Sequence, residues 1–278
     1  MPDLLKAAIL GIVQGLTEFL PVSSTGHLVL FEKALGVPED RFGLAFDAAL
    51  HLGTLLAILI YFRETVGRLL TAWLASVRER RWDDSTDSRL AWLILIATIP
   101  AGVVGILFDS TVESKLRDPL LIALVLALFS GVLVLAELLG KRRLQSSQIG
   151  SRSAIFVGLA QAVALIPGVS RSGITMSAGL FANLKREQAA VFAFLLSGPI
   201  VAGAGFKKLY DVIKEAHAGL LGREDLAFFL VGFTLAAITG YLTIRLLLGY
   251  LRQHTLYPFV AYRLALSVLI LVLVLTVW

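Results

Sequence analysis

Apolar residues run through this chain in blocks too long for the core of a soluble domain. Six stretches, roughly 43–62, 90–108, 120–139, 189–206, 226–249 and 258–277, are mostly apolar and match the roughly 20 residues a helix needs to cross the hydrocarbon layer of a bilayer. Leu120–Leu139 and Pro258–Trp278 are the most continuous of these runs. Two further regions, 3–36 and 154–183, are broken near the middle by Pro, Gly and hydroxyl residues. Each has room for two short helices around a break and predicts a re-entrant hairpin that enters and leaves on one side. Irregular backbone is tolerated at membrane depth only where protein or a polar cavity satisfies it. The longest polar connection, Arg63–Arg89, holds both signs of charge with Trp73 and Trp82 and predicts an amphipathic helix at the interface. The expected fold is therefore all-α and polytopic, a single integral membrane domain over 1–278 with about six full spans, two broken hairpins, and halves near 1–140 and 150–278.

The two broken regions repeat one another. Gly11-Ile-Val-Gln14 and Ser23-Ser24-Thr25-Gly26 recur 147 residues later as Gly158-Leu-Ala-Gln161 and Ser170-Arg171-Ser172-Gly173, while Pro21 and Pro167 miss the offset by one. Matching broken segments in two halves point to a shared binding site near mid-membrane. With both hairpins re-entrant, one face collects 15 Lys and Arg and the other 9, Arg171 counted in neither. The richer face is expected to be cytoplasmic, which turns the first hairpin outward, brings the second in from the cytoplasm and makes the repeats inverted.

Composition narrows the partners. The chain is 57% hydrophobic and 16% charged, with a mean hydropathy of +0.83; a soluble domain of this length carries more charge. Its net charge of +5 comes from loop Lys and Arg, with no basic stripe interleaved with aromatics, so nucleic acid is not an expected partner. The absence of cysteine excludes a disulfide framework, a Cys zinc site and a thiol nucleophile. The N-terminal segment, with one Lys and with Gln14 and Glu18 inside its apolar stretch, is not expected to be a cleavable signal.

The chemistry lies in the breaks. Gln14 and Glu18 share one helix face at i, i+4, and Pro21 places Glu18 near the end of that helix. The helix dipole is negative there, so Glu18 must either hold its proton or have a cation beside it, an Arg, a Lys or a metal ion. Ser23, Ser24, Thr25 and Gly26 open the next helix; one hydroxyl is explained as an N-cap, and the group as an anion site at a helix N-terminus, phosphate being the obvious candidate. His27 follows in the first turn. A neutral imidazole is expected at that positive helix end, able to face Glu18 across the break as an acid/base or nucleophilic group. In the second break Arg171 must be paired to sit among apolar residues; its fork suits a phosphate, and a structural bridge to Glu18 is the competing reading. Ser170, Ser172, Gly173 and Thr175 cap the helix that follows or join the same anion site. His51, His217 and His254 lack such a setting and read as packing or interfacial groups. Brought together, these residues resemble a phosphoryl-transfer site with anion clamp, nucleophile and acid/base group. With no Walker A motif present, the phosphate is expected on something that partitions into the bilayer.

Gln14-x-x-x-Glu18, Pro21-Val-Ser-Ser-Thr-Gly-His27 and Pro167-Gly-Val-Ser-Arg-Ser-Gly-x-Thr175, with Tyr262-Arg263 near the last helix, resemble the undecaprenyl-diphosphatase family of the bacitracin-resistance type over essentially the whole chain. The resemblance implies an inner-membrane hydrolase that converts undecaprenyl diphosphate to undecaprenyl phosphate and inorganic phosphate, recycles the lipid carrier of peptidoglycan synthesis and confers bacitracin resistance. It further implies a divalent cation, Mg2+ or Ca2+, with Glu18 and more weakly Gln14 as ligands, and catalytic roles for Glu18, Ser24, His27 and Arg171. Ser23, Thr25, Gly26, Ser170, Ser172, Gly173 and Thr175 are the expected substrate-binding residues. Two departures stand out: Gln14 occupies a position where many members carry a second Glu, and His51 one where relatives usually show Gln. Asp47 is therefore only a potential contributor. Attack by Ser24, attack by His27 and water activated by His27 all remain open, as does the oligomeric state, with a homodimer among the candidates. Access from the periplasmic side is expected on the charge count. The rival function is a polyprenyl-phosphate transporter or flippase, which inverted broken repeats fit equally well.

Overall fold

The computed structural model describes residues 2–37, 43–82, 85–115, 118–217 and 223–276. Among them there are helices and no strand, apart from one isolated bridge between Leu144 and Leu184. The first broken region forms α1 (Asp3–Thr17) and α2 (Ser24–Leu35), and the second forms α7 (Ser151–Val163) and α8 (Arg171–Phe181). All four fall short of the roughly 20 residues that cross a bilayer, and within each pair the two short helices pack against one another as a hairpin. Between the hairpins lie α3 (Gly43–Tyr61), α4 (Arg63–Glu79), α5 (Thr86–Lys115) and α6 (Pro119–Leu139); after them come α9 (Arg186–His217), α10 (Arg223–Leu251) and α11 (Tyr257–Thr276).

Five helices carry an apolar stretch long enough to cross a membrane: Thr86–Leu107, Pro119–Leu139, Arg186–Lys207, Asp225–Leu251 and Tyr257–Thr276. They correspond to five of the six expected spans, and the chain is a multi-pass membrane protein. The sixth differs. Phe46–Tyr61 and Arg63–Glu79 together form one candidate span that is broken by a bend of 84° between them. The bend falls where the apolar run gives way to Arg63 and Glu64, and α4 beyond it is the amphipathic helix expected in the polar connection. Its Leu69 and Ser76 are buried, while Leu70, Leu74 and Val77 are exposed. Trp73 meets Trp92 edge-on at 5.9 Å, and the Trp92 indole N–H donates to Ser76 Oγ at 2.9 Å.

The hairpins are exchanged between the halves. α1 packs chiefly on α10 of the second half, and α7 packs chiefly on α5 of the first. The repeated glycine of each motif permits these crossings. A Cβ at Gly11 would lie 2.6 Å from the Gly232 carbonyl oxygen, and one at Gly158 would lie 2.8 Å from Ala97 Cα and clash with the Ala97 carbonyl oxygen. Two further pairings, α3 with α9 and α6 with α11, join the halves through corresponding helices. Around this frame the main core gathers Phe19, Phe62, Leu133, Phe192, Phe194, Ile244 and Leu247. Away from the breaks, Glu137 is buried near the end of α6. It accepts from Arg186 Nε with both oxygens (2.7 and 3.0 Å) and from the Leu256 N–H at 2.8 Å, tying α6 to the starts of α9 and α11.

Candidate active site

Both breaks end in the same device. Ser23 and Ser170 each hold φ at 73°, in the left-handed region, and each side chain accepts from the N–H three residues on, Gly26 at 3.4 Å and Gly173 at 3.2 Å. A non-glycine residue in this conformation stores about 1–3 kcal/mol and persists only where its surroundings hold it. The turn reverses the chain sharply and leaves the next residue at the first position of a helix, its side chain at the break. That residue is Ser24 in the first repeat and Arg171 in the second, equivalent positions at the 147-residue offset. One repeat thus supplies a hydroxyl and the other a cation.

The breaks are stitched together. Ser172 Oγ donates to the Leu20 carbonyl at 2.8 Å, and Gly173 packs against Pro21. Between them lies a cavity of about 40 Å³ whose walls include Glu18, Ser23, Ser24, Thr25, His51 and Arg171. Glu18 Oε2 accepts from Ser24 Oγ at 2.7 Å and from Gln14 Nε2 at 3.1 Å, with His51 Nε2 at 3.6 Å. Glu18 Oε1 faces Arg171 Nη1 at 3.9 Å, and that nitrogen makes no hydrogen bond. The Glu18–Arg171 pair is therefore a long one, and the guanidinium stands on the cavity wall without a hydrogen bond from Nη1. His51 Nδ1 lies 2.8 Å from the Asp47 carbonyl oxygen, which can only accept, so Nδ1 carries a proton and Nε2 is the atom presented to Glu18.

The sequence residues divide accordingly. Glu18, Ser23, Ser24, Thr25, Ser170 and Arg171 line the cavity. Gln14 stands behind Glu18. Ser172 is committed to Leu20, Thr175 Oγ1 donates to the Arg171 carbonyl at 2.6 Å, and Gly26 packs on Ile122, so these three and Gly173 support the walls instead of facing the space. His27 does not face Glu18. The left-handed turn at Ser23 rotates the start of α2 so that the imidazole points away: Nδ1 donates to the Ser23 carbonyl at 2.7 Å, and Nε2 accepts from the Tyr262 hydroxyl, also at 2.7 Å, beneath a parallel ring. With both nitrogens engaged outside the cavity, His27 is placed as a strut of the break.

Among the described residues no three His, Cys, Asp or Glu side chains converge as a metal site. Two hard oxygens remain for a divalent cation: Glu18 Oε1, free of hydrogen bonds, and Gln14 Oε1, buried without a partner. That donor set fits an ion such as Mg2+, which takes one or two protein ligands and completes its shell with water and phosphate oxygens.

Residues 7–269 match the family described as bacitracin resistance protein BacA. The chain belongs to this family. It is 45% identical to an undecaprenyl-diphosphatase of Rubrobacter xylanophilus, covering 99% of this chain and 100% of the relative. It is 44% identical to undecaprenyl-diphosphatases of Alcanivorax borkumensis (97% and 98%) and Geobacter sulfurreducens (94% and 95%). In this BacA-family chain the structure brings to the breaks two groups to which sequence reasoning assigned no site role: His51, read as a packing or interfacial group, and Arg263, noted only for the family resemblance. His51 reaches Glu18 from α3, and its signal was an imidazole one turn beyond Asp47 in an otherwise apolar span. Arg263 lies fully buried in α11; its signal was a guanidinium within the apolar run 258–277.

Proposed function

We propose that the chain is a membrane phosphatase that hydrolyses undecaprenyl diphosphate to undecaprenyl phosphate and inorganic phosphate, recycling the lipid carrier of peptidoglycan synthesis and so conferring resistance to bacitracin. The observation that carries it is the Ser24 hydroxyl donating to the Glu18 carboxylate at 2.7 Å on the wall of a cavity that Arg171 also lines. A hydroxyl paired with a carboxylate is an activated nucleophile, and a guanidinium free to make two parallel bonds is a phosphate clamp.

In this reading Arg171 and the N-terminal amides of α2 and α8 hold the diphosphate, while the prenyl chain stays in lipid. Ser24 Oγ attacks the terminal phosphorus as Glu18 takes its proton, the Oγ–P bond forms, and the bridging P–O bond breaks to release the prenyl phosphate. Water then cleaves the phosphoserine and returns the serine. His51 steadies the proton on Glu18 through Nε2. A divalent cation, when bound, neutralises charge on the diphosphate, with Glu18 Oε1 and Gln14 Oε1 as its protein ligands. The family supports a bacterial inner-membrane location, and the charge count supports a first hairpin open to the periplasm. The transporter reading is not favoured, since carriage needs no hydroxyl–carboxylate pair and the relatives carry a phosphatase name.

The test is phosphate release from undecaprenyl diphosphate by purified protein, with trapping of label from the terminal phosphate. A phosphoenzyme that forms in the wild type and in His27→Ala but not in Ser24→Ala supports the serine route. Label retained by Ser24→Ala overturns it.

A further inference from the structure

Arg263 is fully buried and, among the described residues, forms no ion pair. An unpaired guanidinium inside a membrane protein is costly, so its bonds must hold it in place. Its Nη1 donates to the Pro21 carbonyl at 3.3 Å, and its Nη2 donates to the Gly168 carbonyl at 3.1 Å and the Leu126 carbonyl at 3.2 Å. Its Nε donates to Ser130 Oγ at 3.1 Å, and that hydroxyl in turn donates to the Leu126 carbonyl at 2.7 Å. Pro21 belongs to the first break and Gly168 to the second, whereas Leu126 and Ser130 belong to α6. One planar group therefore grips both breaks and anchors them to the α6–α11 pair. The bonded carbonyls lie two residues before Ser23 and two before Ser170, the residues whose strained backbone aims Ser24 and Arg171 into the cavity. Next to Arg263, Tyr262 fixes His27 in the same turn.

We propose that Arg263 is a positioning residue for hydrolysis: its fork sets the register of the two breaks and thereby holds Ser24 and Arg171 on the wall of one cavity. The guanidinium does not touch the cavity; it acts through the backbone on groups that do. A lysine keeps the charge but has no planar fork and cannot span acceptors on both breaks. The proposal rests on the phosphatase reading for its kinetic arm, and a second arm reads register without turnover. Because the chain has no cysteine, Leu16→Cys with Val163→Cys places one spin label near the end of α1 and one at the end of α7, both at exposed positions that do not line the cavity.

The expected result for Arg263→Lys is a folded protein with KM within about threefold of wild type, kcat lowered about 100-fold, the cost of roughly 1 Å of misplacement, and a broadened label distance in place of a single narrow one. A wild-type kcat in Arg263→Lys overturns the proposal. So does a lowered kcat with an unchanged label distance. Should the lysine variant not fold, Ser130→Ala removes one acceptor and leaves the charge; a lowered kcat at constant KM supports the proposal, and an unchanged kcat overturns it. Should the wild type release no phosphate, the label distance still decides whether Arg263 sets the register, and the phosphatase reading fails separately.

Discussion

Gly158→Ala isolates the crossing of α7 over α5. The added Cβ would meet Ala97 Cα at 2.8 Å as well as the Ala97 carbonyl oxygen. Both are backbone atoms of a span, so neither can turn aside as a side chain does. An ordinary carbon contact needs about 3.5–4 Å, and the two helices must part by about 1 Å. Overpacking of this kind costs up to about 3 kcal/mol, while replacing a mid-helix glycine with alanine returns about 1 kcal/mol of propensity. The net loss of about 2 kcal/mol lowers the midpoint of thermal unfolding by roughly 4 °C for a chain of this size. Activity falls further than stability, because α7 leads directly into the break that carries Gly168, Ser170 and Arg171; about 1 Å of misplacement there costs roughly 100-fold in kcat. The control is Gly131→Ala in α6, where nothing lies within 4 Å of the new Cβ and the substitution stabilises by about 1 kcal/mol. Unfolding in detergent and steady-state phosphate release measure both quantities. A Gly158→Ala protein as stable and as active as Gly131→Ala would refute the close-crossing argument.

Other substitutions separate chemistry from support. Ser24→Ala removes the nucleophile and is expected to lower kcat by about 1,000-fold or more while the protein still binds its substrate, read by turnover beside a binding assay. His27→Ala loses its bonds to the Ser23 carbonyl and Tyr262, so it costs about 1–3 kcal/mol of stability and lowers the unfolding midpoint, yet it still forms the phosphoenzyme. Glu137→Gln leaves Arg186 without its buried counter-charge and is expected to destabilise by about 3–5 kcal/mol, a loss seen in unfolding with kcat of the folded fraction unchanged. Chelation is expected to suppress phosphate release and added Mg2+ or Ca2+ to restore it; release that ignores chelator removes the cation from the mechanism.

The spans and breaks were legible because each has a local cause. Twenty apolar residues need no context to be read as a helix that crosses lipid, and a proline followed by hydroxyls and glycine marks where helix must stop and start. The alignment of Ser23 with Ser170 was visible too, although not that both would adopt a left-handed backbone. What escaped reading depends on rotation and on distance along the chain. Whether His27 points to Glu18 or to Tyr262 is decided by the dihedral at Ser23, which no spacing rule gives. His51 meets Glu18 from another helix, and Arg263 meets Pro21 from 242 positions away. The 84° bend between α3 and α4 was hidden because hydropathy measures length and not direction.

The exchange of hairpins sets a timetable for biogenesis. α1 enters the membrane first, but the surface its Gly11 face fits belongs to α10, whose first residue is Arg223. At a synthesis rate of about 5–20 residues per second, the first hairpin waits roughly 10–45 s for that partner. During the wait its buried Gln14 and half-buried Glu18 have neither Arg171 nor the second break beside them. The nascent amino-terminal half thus stays without its packing partner until the carboxy-terminal half closes over it.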